Sequence, residues 1–256
     1  MVGIPSIAEE DLRRPGRERA FLVRERTAIL NHIRGLLALH GIAGITPRTR
    51  KAWQSIQAAR TPEGKELPPA TLAEIRRCFA RLQMLDGQIR EIEAQRECPQ
   101  TESSKGEAPA PAALAVPAPV AGMVAQLAAI KGLGLETAHT LVHELLLRPF
   151  RDRRALARFV GLTGTPDESG TRRRDRGLAR AGNPRLRQLL VQLAWRLLQF
   201  QPDAGLVQWY RRRVEQANGA GRKTFIVALA RKVLIALWRY GRDGVVPQGF
   251  VLGATR

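Results

Sequence analysis

Between Pro99 and Pro119 the chain reads PQTESSKGEAPAPAALAVPAP, and this stretch limits the possible folds more than any other. Prolines at 99, 109, 111, 117 and 119 fix φ and remove amide donors, which interrupts both helix and strand ladders. The Ala, Ser and Glu residues between them bury too little apolar surface to offset the entropy of ordering. The stretch is expected to be a linker or a long exposed loop. A chain of 256 residues divided there must build two cores. The expected division is a helical region 1–98, a Pro/Ala-rich linker 99–119 and a helical domain 120–256. Apolar residues make up 44% of the chain, enough for both cores.

Before the linker, Phe21, Ile29, Ile33, Leu36 and Leu37 fall at helical spacing, with Arg and Glu between them, and predict a helix over 17–40. Gly41, Gly44 and Pro47 end it. A second helix is predicted over 71–96. Thr71 and Glu74 have capping-box spacing, in which the hydroxyl and the carboxylate satisfy each other's amides. Leu72, Ile75, Phe79, Leu82, Leu85, Ile89 and Ile92 follow at intervals of three and four, close to a heptad stripe. The pair reads as an antiparallel, coiled-coil-like hairpin, suited to holding a partner subunit or spacing two domains. A plain helical hairpin closed in one core fits the pattern equally.

After the linker the chain is again helical. Helices are predicted over 120–130, 135–147, 203–217 and 224–240. Another runs through Val160 behind Asp152 as cap, and one begins at Asn183-Pro184, with Asn as N-cap and Pro where no amide is needed. From Thr163 to Gly182 neither helical nor strand period is visible, and an irregular Arg-rich loop is expected. The fold class is mainly α.

Charge narrows the function. Lys and Arg number 42 against 23 Asp and Glu, a net charge of +19. Such a chain is attracted to polyanions, and neutralising phosphates releases counterions. Cys78 and Cys98 have no ligand-like spacing, which argues against zinc and a disulfide framework. No secretory leader or membrane-length apolar run is present in the sequence, so a cytoplasmic, nucleoid-associated protein is expected. His139 and His143 share a helix face, but no third ligand accompanies them, and they read as ordinary amphipathic positions.

Two motifs carry chemistry. In Ile130-Lys131-Gly132-Leu133-Gly134 a tight glycine turn joins two helices. Glycine permits positive φ and leaves no Cβ to obstruct a backbone, and free amides opening the next helix can donate to phosphate. This is the pattern of a helix-hairpin-helix, with Lys131, Gly132 and Gly134 as DNA-backbone contacts. The second is Ser169-Gly170 followed by seven arginines, Arg172, Arg173, Arg174, Arg176, Arg180, Arg185 and Arg187. Forked guanidinium donors suit phosphate oxygens, and these arginines are candidate DNA contacts.

Taken in order, IKGLG, the stretch from Phe150 to Thr163, the ESG triplet, RAGNPRLRQLLVQLAW and LARKVLIALWRY resemble the insertion-sequence one-ten/eleven-eleven transposases. The segment RRPGRERAFLVRERTAILNHIRGLLALHGI is similar to what those proteins place between their catalytic domains, so the resemblance covers nearly the whole chain. It implies DNA transposition of a mobile element by a hybrid enzyme. A RuvC-like domain would carry metal-binding carboxylates, and the C-terminal domain a serine that bonds covalently to DNA. By motif that serine is Ser169. Arg172, Arg173 and Arg174 would steady the charge developing at phosphorus. The resemblance also implies a noncoding guide RNA as a partner and Mg2+ held only by the RuvC-like domain, with no cofactor in this chain, while the coiled-coil pattern itself leads to an expectation of self-association. That domain would precede the first helix. The expectation is that this chain lacks it and cannot transpose DNA alone. The alternatives are a non-catalytic DNA-binding protein, such as a degenerate transposase remnant, and a helical scaffold whose charge is incidental.

Overall fold

The computed structural model describes residues 6–49, 51–97, 118–169, 172–178 and 181–253, and at 96, 97, 118, 165–169 and 172–176 their backbone alone. The chain divides into two compact units, Asp11–Ala115, and Val116–Arg256 together with Met1–Glu10. Most of the expected linker, and Cys98, lie outside the described residues. Its last two residues, Ala118 and Pro119, instead open a helix, where a proline costs no hydrogen bond. Near the N-terminus, Glu9, Glu10 and Asp11 belong to a short helix α1 (Ile7–Asp11). Ser6 and Glu9 form a capping box there, at 2.7 and 3.2 Å.

The unit Asp11–Ala115 contains α2 (Arg14–Leu39), α3 (Ala52–Ala58) and α4 (Pro69–Glu97). Arg19 pairs with Glu93 at 2.6 Å, Arg26 with Asp86 at 2.9 Å and His32 with Glu74 at 2.8 Å. Partners on α4 descend as those on α2 ascend, so these contacts run in opposite chain directions. On α4, Ile75, Cys78, Leu82, Leu85, Ile89 and Ile92 are buried, with Leu22, Ile33 and Leu37 of α2 in the same two clusters. These α4 positions alternate steps of three and four. Cys78 takes the buried place expected for Phe79, which meets Trp53 of α3 edge-on, with ring centroids 5.7 Å apart. The capping box expected at Thr71 and Glu74 is not made. Pro69 starts the helix two residues earlier, leaving Thr71 to bond His40 at 3.2 Å and Glu74 to pair with His32.

The second unit contains α5 (Ala118–Ala128), α6 (Leu135–Leu141) continuing through a π turn at Val142–Leu146, α7 (Arg153–Val160), β1 (Gly164–Ser169), β2 (Arg172–Leu178), α8 (Pro184–Phe200), α9 (Gly205–Gln216) and α10 (Arg222–Asp243). Leu127, Leu141, Leu145, Leu156, Leu190, Leu197, Val233 and Leu237 form part of one core. The caps expected at α7 and α8 are present. Asp152 accepts from the amides of Arg154 and Ala155, both at 2.8 Å, and Asn183 from those of Arg185 and Leu186 at 3.0 and 3.2 Å.

The expected irregular Arg-rich loop is instead an antiparallel hairpin. Its ladder runs from Gly164↔Leu178, through Asp167↔Arg174 and Glu168↔Arg173, to Ser169↔Arg172. Strand periodicity shows in sequence only where one face buries apolar side chains. GTPDES and RRRDRGL have almost none, so main-chain pairing forms the strands without leaving that pattern.

Candidate nucleic-acid interface

The glycine turn between α5 and α6 is braced from two directions. The C-terminal segment crosses it: Ile130 bridges to Leu252, the Lys131 amide donates to the Val251 carbonyl at 3.1 Å, and the Gly253 amide to that of Ala129 at 2.6 Å. Gln201, only 1% exposed, closes the junction. Its Nε2 donates to the carbonyls of Lys131 and Val251 at 2.9 and 2.8 Å, and its Oε1 accepts from the Val251 amide at 2.8 Å. Gly132 has φ +92°, and a Cβ there would come within 2.8 Å of Phe200 Cβ, so both conformation and space require glycine. Gly134 is the N-cap of α6 and adds no side-chain cap. Lys131 and Gly134 are exposed.

The hairpin is rooted where α7 ends and α8 begins. Gly161 closes α7 in the left-handed conformation, φ +75°. The Asn183 amide donates to the Phe159 carbonyl at 2.9 Å. A Cβ on Gly182, φ +99°, would stand 2.6 Å from the Gly161 nitrogen. Arg187 donates through Nη2 to the Ala181 carbonyl at 2.7 Å. Arg185 pairs at 3.6 Å with Glu144, a carboxylate only 6% exposed. Both arginines, candidate phosphate contacts by sequence, thus also hold the root. Arg172, Arg173, Arg174 and Arg176 lie on β2, and Ser169 at the far end of β1 paired with Arg172. Gly170 and Arg180 lie outside the described residues.

Helix α8 joins the two features. Its first turn secures the hairpin root, and Phe200 and Gln201 at its other end abut the glycine turn. About three quarters of the way along, Arg196 donates to Thr137 Oγ1 of α6 at 3.0 Å. The helix has 17 residues, so root and turn stand about 25 Å apart at ~1.5 Å per residue. Amides accepted at the α7 cap hold the Asp152 carboxyl below the usual carboxylate range, Ala155 contributing most, with the Arg151 side chain adding to the effect.

Sequence reasoning did not find Gln201 or Glu144. Glu144 leaves a signal, a lone acid in the apolar run LVHELLL, whereas Gln201 leaves none. His139 and His143 stack with ring centroids 5.7 Å apart. Among the described residues no three His, Cys, Asp or Glu converge, and no helix is long and apolar enough to cross a membrane.

Residues 124–207, from α5 through the glycine turn, the hairpin and α8 into α9, match the family described as "Transposase IS116/IS110/IS902 family". A protein of Sinorhizobium fredii (strain NBRC 101917 / NGR234) named "Putative transposase y4rJ" is 41% identical over 253 residues, covering 98% of this chain and 62% of that protein. A "Probable family 20 transposase" of Pseudomonas aeruginosa PAO1 is 27% identical over 192 residues, covering 74% of this chain and 51% of that protein. The chain therefore spans between half and two thirds of the length of these relatives. The family domain falls on the turn and the hairpin, and the likeness to y4rJ continues through nearly every other residue, so over nearly its whole length the chain is similar to the IS116/IS110/IS902 family of insertion-sequence transposases.

Proposed function

We propose that this chain acts on DNA as the serine-bearing part of its transposase, gripping the duplex backbone through the 129–134 turn and delivering the Ser169 hydroxyl to a phosphodiester. The observation that supports it best is the position of Ser169 at the end of an arginine-bearing ribbon anchored between two helix termini. In the proposed step the Ser169 oxygen attacks phosphorus and gives up its proton. The bond from phosphorus to one deoxyribose oxygen breaks, and that oxygen leaves and takes up a proton. Energy stored in the new serine–phosphate ester allows a DNA hydroxyl to reverse the step later. Arginines 172–174 would stabilise the charge on the equatorial oxygens.

The test is a duplex carrying a bridging phosphorothiolate at the junction of the element's own ends. The thiolate leaving group needs no proton and returns poorly, so any adduct accumulates. The chain should form a protein–DNA band resistant to detergent and heat, and Ser169→Ala should abolish it. Adduct formation by Ser169→Ala would contradict the assignment. Salt-sensitive binding with no adduct would favour a purely DNA-binding role.

A further inference from the structure

A second site lies in the same unit, between α5, the segment after the π turn, and the last turn of α10. Here a pocket of about 440 Å3 opens between Met123, Leu146, Arg148, Phe150, Trp238 and Arg242. The volume falls in the range of small-molecule sites, about 300–1,000 Å3. Every charged residue lining it is an arginine. Arg242 lies over the Trp238 ring, 4.5 Å from its centroid, and a fork of bonds to Asp243 at 2.7 and 3.0 Å fixes its plane. Arg148 lies 5.0 Å from the centroid of Phe159, which packs at 5.4 Å against Phe150. One wall thus stacks a flat cation on the Trp238 ring, and the other sets the Arg148 cation, backed by Phe159, beside the Phe150 ring.

The floor supplies an independent observation. Gly241 is inside α10, whose left-handed cap is Gly244, and it is not among the glycines of positive φ. A glycine there costs helix stability without serving conformation. Its use is space: a Cβ at 241 would stand 3.1 Å from Leu146 Cδ1 and 3.8 Å from Met123 Sδ, in the floor of the pocket.

We infer that this pocket takes one unpaired nucleotide of a nucleic-acid strand, its base stacked on the aromatic–guanidinium walls and its phosphate met by Arg148 and Arg242. Stacking surfaces with cations alongside accept any base and select for single strands, because a paired base does not offer both faces. The identity of the occupant rests on the nucleic-acid reading above, but the site is separate from the hairpin and the glycine turn.

The full chain is titrated with octadeoxyuridylate, with octauridylate and with a blunt duplex, following tryptophan fluorescence and, in parallel, filter retention. An octamer should quench the fluorescence saturably, and whichever octamer binds identifies the sugar. Trp238→Phe should remove most of the quench. Gly241→Ala and Arg148→Ala should each weaken octamer binding about tenfold, the scale of one stacked base, while duplex retention stays unchanged. Arg148→Ala serves where Gly241→Ala fails to fold. Octamer binding unchanged in Gly241→Ala and Arg148→Ala, or quenching that persists in Trp238→Phe, overturns the inference. Retention of duplex but of neither octamer sinks this pocket and leaves the DNA reading standing. Retention of nothing sinks both.

Discussion

At the scale of single residues, the root of the hairpin depends on two glycines that nearly touch. Gly182→Ala would drive a methyl into the Gly161 backbone at a φ that side chains rarely adopt. The expected cost is about 2–4 kcal/mol, since strain and overpacking add, read as a lowered denaturant midpoint with the helical signal retained. Gln201→Leu would leave the carbonyls of Lys131 and Val251 and the Val251 amide without this partner, each group costing roughly 1–3 kcal/mol when it stays buried. Lost protection of the 129–134 amides in hydrogen exchange would report it, and unchanged protection would show that Gln201 is dispensable. Asp152 has a folded pKa below its unfolded value, so its contribution to stability is present above the unfolded pKa and fades as pH falls through the folded one. Asp152→Asn, which keeps a capping side chain but loses the charge, should therefore lower stability slightly at neutral pH, and the difference from the parent should close below about pH 4, flattening the acid limb. The caps at Asp152 and Asn183 were legible in the sequence because an N-cap is decided within three residues. Gln201 was not, because its partners lie 50 and 70 positions away.

At the scale of elements, helices with one apolar face were readable and the hairpin was not. The stripe on α4 appears in sequence because α2 covers it within the unit. Capping at Thr71 was misread because Pro69 could begin the helix earlier, and spacing alone does not choose between the two starts. The hairpin buries no apolar face, so only its charge and its glycines were visible. Helix α8 gives this part of the fold a length. If the glycine turn and the root arginines Arg185 and Arg187 contact one duplex, the two backbone protections should lie about 25 Å apart, about seven base steps at ~3.4 Å each. Hydroxyl-radical footprinting measures this. Protection that ignores substitutions at Lys131 and Gly134 would remove the turn from the interface.

At the scale of the whole molecule, a net charge of +19 makes salt the control variable. If Lys131 and the four arginines of β2 neutralise about five phosphates, the logarithm of the binding constant should fall against that of salt concentration with a slope near −4.5, and each arginine removed should reduce it by about one. Charge was the most legible global property, and the family resemblance followed from the order of motifs along the chain. What the charge was arranged around, a ribbon ending at Ser169, required coordinates. The most direct measurement of the central claim is mass spectrometry of the phosphorothiolate-trapped adduct after nuclease and protease digestion. The account predicts that the nucleotide remnant is esterified to the peptide containing Ser169, at that residue's oxygen. A remnant on any other residue, or a trapped adduct whose Ser169 peptide is unmodified, would contradict it.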